Sequence, residues 1–108
     1  MVDVHNVTKA HVQALSVLPI SGINKRLLIS SGTFTWKATA DLICTARPKL
    51  ASRLPSKSAQ AVIQTNAPMD VSLAAKVIRM SEDSYIQWED TMLATIDTAV
   101  AWEKMVEV

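Results

Sequence analysis

Lys25-Arg26-Leu27-Leu28-Ile29-Ser30-Ser31-Gly32-Thr33-Phe34-Thr35-Trp36 is the stretch on which the reading of the fold turns. Its first half is a continuous apolar run, Leu27-Leu28-Ile29, bounded by two cations on one side and Ser-Ser-Gly on the other. A run this short with such bookends reads as a buried strand, here Leu27 to Ser30. Its second half offers the hydroxyls of Thr33 and Thr35, either able to accept from the free N–H groups that open a helix. The pattern predicts a helix from about Trp36 to Ala46, with Trp36, Ala40, Ile43 and Cys44 near one face. Pro48 ends it, because the residue before a proline is pushed out of helical geometry.

Upstream, Val2 and Val4 alternate with Asp3 and His5 as a short extended start, and Asn6 is placed to cap a helix. From there Val7, Ala10, His11, Ala14, Leu15 and Leu18 fall on one apolar stripe, and Pro19 prevents continuation. Ser21-Gly22 marks a turn. Downstream, Leu54-Pro55 followed by Ser56, Lys57 and Ser58 reads as loop, and Ala61-Val62-Ile63 as a second short strand. Asp70 or Ser72 caps a short helix through Ile78. From Trp88 onward Met92, Ile96, Ala99, Val100 and Glu103 keep helical spacing, with Leu93, Trp102, Met105 and Val106 widening the apolar surface. The expected architecture is α plus a few short strands, with helices near 6–18, 35–47, 70–78 and 87–106. No internal repeat, linker or low-complexity tract interrupts it.

A chain of 108 residues has room for one domain with one modest core. Hydrophobic residues at 49% against 19% charged indicate a folded chain, not a disordered one. Eleven basic and ten acidic residues leave +1, with no basic stripe of the kind a nucleic acid would need. Cys44 is alone, so no disulfide forms within the chain, and no Cys/His spacing suggests zinc. No apolar run approaches the roughly 20 residues of a membrane helix. The start, Met1-Val2-Asp3-Val4-His5-Asn6, has neither the basic nor the apolar region of a signal peptide, so a cytoplasmic location is expected. The two glycines, Gly22 and Gly32, cannot supply a phosphate-cradling loop, which needs clustered glycines for its tight turn and close backbone approach.

Few residues could carry chemistry. His5, His11 and Asp3 are the only group resembling metal ligands, but a site needs three or four converging donors, and a structural or solvated role is the simpler one. Cys44 beside Ile43 reads as a small core residue. A tyrosine that passes a proton to a carbonyl is helped by a lysine four residues on. The only tyrosine, Tyr85, has Glu89 there, which disfavours the phenolate. Glu82-Asp83 and Glu89-Asp90 are explained by the helix dipole at helix starts. Trp36, Trp88 and Trp102 read as packing residues. No catalytic, cofactor-binding or metal residue is assigned.

Several segments, in order, resemble one family. Val2-Asp3-Val4-His5-Asn6-Val7-Thr8-Lys9-Ala10-His11-Val12-Gln13-Ala14-Leu15 resembles the V-D-V-[RK]-D-V-A-x-A-H-x-x-A-L stretch of extended short-chain dehydrogenases, part of the NAD-dependent epimerase/dehydratase superfamily. More narrowly it is similar to the dihydroflavonol reductase-like and aldehyde or methylglyoxal reductase-like branch. Leu28 to Trp36 resembles that branch's L-x-S-S-G-x-F-[ST]-W, and Arg53-Leu54-Pro55 its R-L-P. Asp70 to Ile78 resembles D-x-S-K-A-x-K-x-L-G, and Trp88-Glu89-Asp90-Thr91 resembles F-E-E-T. Each motif alone is weak; together they span nearly the whole chain in register.

The resemblance implies a single partial domain over residues 1–108, the mostly helical, substrate-side C-terminal part of a Rossmann-type α/β reductase. Intact relatives hold NADPH on a G-x-x-G-x-x-G loop and move a proton through Ser and Tyr-x-x-x-Lys; neither occurs in these residues. The expectation is a truncated NAD(P)-dependent carbonyl reductase of specialised metabolism, inactive as a lone chain and without a cofactor of its own. The alternative is a non-catalytic module that packs on a full-length reductase or another protein. Exposed apolar faces imply self-association or such packing, with no nucleic acid and no membrane as partner, and marginal stability. The chain departs from the family at four places. His5-Asn6 replaces Arg-Asp, Ala38 a glutamate that would complete a capping box with Thr35, Arg79 a helix-ending glycine, and Gln87 a capping serine. Each lost cap costs about 0.5–1 kcal/mol.

Overall fold

The computed structural model describes residues 1–19, 26–56 and 67–106. Among them the protein is mostly helical: α1 (Val4–Leu15), α2 (Trp36–Ala46), α3 (Ser72–Ile78) and α4 (Trp88–Val106), with 3₁₀ helices Pro48–Arg53 and Glu82–Ser84. No strand occurs among the described residues. The chain divides into two compact units, residues 1–33 with 67–88 and residues 34–66 with 89–108.

In the first unit α1 starts earlier than its sequence suggests. Asp3, not Asn6, is the N-cap: its carboxylate accepts from the His5 N–H at 2.8 Å. The short alternating start therefore yields to helix from Val4. The helix closes at Leu15 with Ser16 as its C-cap, before Pro19 acts. The buried face is also rotated away from the apolar stripe. Asp3, Asn6 and Ala10 are buried, whereas Leu15 and Leu18 are 88% and 84% exposed. Asn6 sits on the buried side because its side chain bonds the backbone of Ser84 and Ile86.

Residues 27–30 run without turn, bend or bridge. The expected strand is not formed, because a strand exists only with a partner to complete its ladder. The nearest thing to pairing lies just beyond: Ser31 N–H donates to the Met1 carbonyl, and the Met1 amino group to the Gly32 carbonyl, both at 2.9 Å. Gly32 sits at φ +119°, a backbone region closed to residues with a Cβ, which is why glycine stands there. Ala61-Val62-Ile63 and Ser21-Gly22 lie outside the described residues. The core of this unit is Ala10, Ala74, Ile78, Met80 and Tyr85, with Val2, Val17, Leu27, Ile29 and Val77 packed against it.

The N-cap of α3 is Val71, which makes no side-chain capping bond, so neither Asp70 nor Ser72 is the cap that the sequence suggests. Asp70 accepts from the Ser72 N–H at 2.9 Å, and hydrogen bonds from Ser72 hold the Asp70 carboxyl below the ordinary range. At the other end Arg79 takes the left-handed conformation, φ 56° and ψ 33°, and the Ala74 carbonyl accepts from the N–H groups of Arg79 and Met80.

In the second unit α2 matches its expected bounds, with the Thr35 hydroxyl accepting from the Ala38 N–H at 3.1 Å. Its buried face is Thr39, Ala40 and Ile43; Trp36 and Cys44 point outward, which corrects the expected face. Thr39 is tolerated inside because its hydroxyl donates to the Thr35 carbonyl at 3.0 Å. Pro48 both ends α2 and opens the 3₁₀ helix that runs to Arg53, an element the sequence pattern did not indicate. Helix α4 has the expected length, but only Met92 is buried in it. Trp102, Met105 and Val106 are exposed.

Candidate functional site

A cleft of about 380 Å³ opens in the first unit. One wall is Ser30 to Thr33, shaped by the glycine turn and by the bonds to Met1. The other is Glu82, Asp83, Tyr85 and Gln87, and Met69 and Val71 add an apolar side. Two serines brace the first wall. Ser31 Oγ donates to the Met1 carbonyl at 3.1 Å, and Ser30 Oγ accepts from the Gly32 N–H at 3.2 Å. Among the described residues the lining holds two carboxylates and no lysine or arginine, and the Met1 ammonium donates to the carbonyl of the lining residue Gly32.

Tyr85 is buried, and its hydroxyl has no hydrogen-bond partner. Burial pushes the phenol above its ordinary value, with the Ser30 backbone opposing, though no group meets hydrogen-bond geometry at the oxygen. What disfavours the Tyr85 phenolate is burial and not Glu89.

The segment carrying Tyr85 is held by Asn6. Its Nδ2 donates to the Ser84 carbonyl and its Oδ1 accepts from the Ile86 N–H, both at 2.8 Å. One buried side chain thus satisfies a backbone donor and a backbone acceptor of a loop some 80 residues away. The sequence marked Asn6 only as a helix cap.

The remaining candidates are dispersed. His5 Nδ1 lies 2.7 Å from Asp3 Oδ1, but His11 turns its Nδ1 to the Val7 carbonyl at 2.8 Å. Among the described residues no group of three His, Cys, Asp or Glu side chains could hold a metal ion. Cys44 is exposed, not a core residue. Glu89 and Asp90 occupy the first turn of α4, where the helix dipole favours them, and Glu82 and Asp83 open a 3₁₀ turn. Trp36 and Trp102 are exposed rather than packed inside; Trp36 meets Phe34 edge-on, with centroids 5.4 Å apart.

The second unit contains an arrangement the sequence did not reveal. Arg47 makes a two-pronged pair with Asp97 at 2.8 and 2.6 Å, and Arg53 with Glu103 at 2.9 and 2.6 Å. The two pairs clamp Pro48–Arg53 to α4 beside Leu50, Leu54, Ile96 and Val100. Hydrogen bonds from the arginines hold the Asp97 and Glu103 carboxyls below the ordinary range, and both guanidiniums are raised in return. Equal spacing of the partners on both elements was the available signal, but four charges among the chain's 11 basic and 10 acidic residues do not stand out.

Among the described residues no helix is long and apolar enough to cross a membrane. Compared with protein-family models, with curated proteins and with solved structures, the chain finds no match.

Proposed function

We propose that these residues are the substrate-side portion of an NAD(P)-dependent carbonyl reductase of the extended short-chain type, from a cytoplasmic enzyme. In that reading the cofactor loop and the catalytic tyrosine and lysine lie in chain outside these 108 residues. The observation that carries the proposal is the backbone at Arg79. The resemblance puts a helix-ending glycine at this position, and the residue there adopts the left-handed conformation that glycine would supply. A side chain at positive φ is uncommon enough that its coincidence with a motif glycine supports the register. The bonds of Met1 to Ser31 and Gly32 add support, since they join the first two motif segments.

NADPH itself does not fit these residues. The glycines are two and unclustered, and the cleft of the first unit presents Glu82 and Asp83 where a pyrophosphate would need donors. No step of catalysis is assigned to this chain. Titration of the purified chain with NADPH, followed by the emission of Trp36, Trp88 and Trp102, tests the reading. The expected result is no saturable change at micromolar cofactor. Saturable binding there would overturn it.

A non-catalytic interaction module is the second reading. The exposure of Leu15, with Val12 at 60%, on α1 and of Leu18 just beyond its end favours it, because exposed apolar side chains are what a partner would cover.

A further inference from the structure

The seam between Pro48–Arg53 and α4 is held mainly by charge. No residue of Pro48–Arg53 is buried, and α4 buries Met92 alone. Two two-pronged ion pairs join the elements, Arg47 with Asp97 and Arg53 with Glu103, and their side chains are between 38% and 55% exposed. Apolar packing between the elements is incomplete. Hollows of about 370 and 180 Å³ lie along the seam, and Leu50 and Val100 line both. Each segment is weak without the other. A six-residue 3₁₀ run has poor hydrogen-bond geometry, and this one has no side-chain cap. The part of α4 beyond Met92 is near the roughly 12–15 residues at which a lone helix is marginal. The pairs also fix one register. Asp97 and Glu103 are the only acids of α4 beyond its first turn, so a slipped helix finds no substitute for either.

We propose that this seam is an electrostatic latch. The two pairs hold α4 beyond Met92 against Pro48–Arg53, and raised ionic strength releases it. Exposed pairs are screened as the Debye length shrinks from about 10 Å at 0.1 M salt to about 3 Å at 1 M. Release frees both segments in one step and uncovers Leu50, Ile96 and Val100. The latch stands independently of the reductase reading.

Amide exchange of the full chain in about 0.02 and about 0.5 M sodium chloride, each rate taken relative to its intrinsic value, tests the latch. The emission of Nile red, a neutral apolar dye, is read in the same two solutions. High salt should cut protection across 47–54 and 93–106 on the order of three- to tenfold, leave α1 unchanged and brighten the dye. Asp97→Asn with Glu103→Gln, both exposed positions, should give the high-salt result in either solution. Protection indifferent to salt, or a loss that α1 shares, would overturn the latch. So would dye emission that stays flat as protection falls, or a neutralised variant that still responds to salt.

Discussion

Asn6 donates to one backbone group and accepts from another, which an aspartate at the same position could not do at neutral pH. Asn6→Asp should therefore turn the Ser84 contact repulsive, destabilise the fold, and give back part of the loss as pH falls and the new carboxyl protonates. Asn6→Ala removes two bonds to part-buried backbone groups and should cost about 1–2 kcal/mol in denaturant unfolding. A loss under about 0.5 kcal/mol would contradict the clamp. Tyr85 poses the opposite case. Removal of its unpartnered hydroxyl by Tyr85→Phe should be neutral or stabilising by up to about 1 kcal/mol, because nothing bonded is lost. A clear drop in Tm would mean that the oxygen has a partner. Neither role was legible from the chain: Asn6 is read by groups 78 and 80 residues away, and a sequence window carries no sign of them.

At the scale of elements, the bounds of α2 were the legible part. Thr35 and the stop at Pro48 act through neighbours within a few residues, whereas the caps of α1 and α3 fall on Asp3 and Val71 instead of Asn6 and of Asp70 or Ser72. Strand and helix faces were not legible, since they depend on what lies opposite. The Leu27 run found no ladder, and α1 buried Asp3 and Asn6 in preference to Leu15. Arg79 offers a direct test. Glycine relieves the left-handed strain of about 1–2 kcal/mol but loses about 0.5–1 kcal/mol through its freer unfolded chain. Arg79→Gly should thus stabilise by about 0.5–1 kcal/mol in urea unfolding, and destabilisation would remove the argument for the motif register. The clamp of Pro48–Arg53 to α4 predicts an acid effect. Asp97 and Glu103 have carboxyls lowered by their arginines. Their contribution is complete above the ordinary carboxylate range of about 4 and is lost as pH falls through the lowered values. Amide protection across 47–54, taken relative to the intrinsic exchange rate at each pH, should fall in acid before that of α2 does. Asp97→Asn with Glu103→Gln should abolish that difference.

At the scale of the whole molecule, the described residues form a small interior for the chain's composition. Its buried apolar residues among those described are Ala10, Ala40, Ile43, Ala74, Ile78, Met80, Tyr85 and Met92, and several larger side chains remain outside. Burial of this size offsets chain entropy only narrowly, so the isolated chain should be marginally stable. A clean monomer with one cooperative transition above about 65 °C would show instead that the core is sufficient as it stands. Composition and helix lengths were readable at this scale because they are sums over many residues, whereas the two-unit division follows from long-range contacts. The central claim is that these residues are the substrate-side portion of a carbonyl reductase. Sequencing of the transcript upstream of the Met1 codon tests it most directly. The account predicts an uninterrupted frame encoding G-x-x-G-x-x-G and Tyr-x-x-x-Lys; a frame closed before either motif would contradict it.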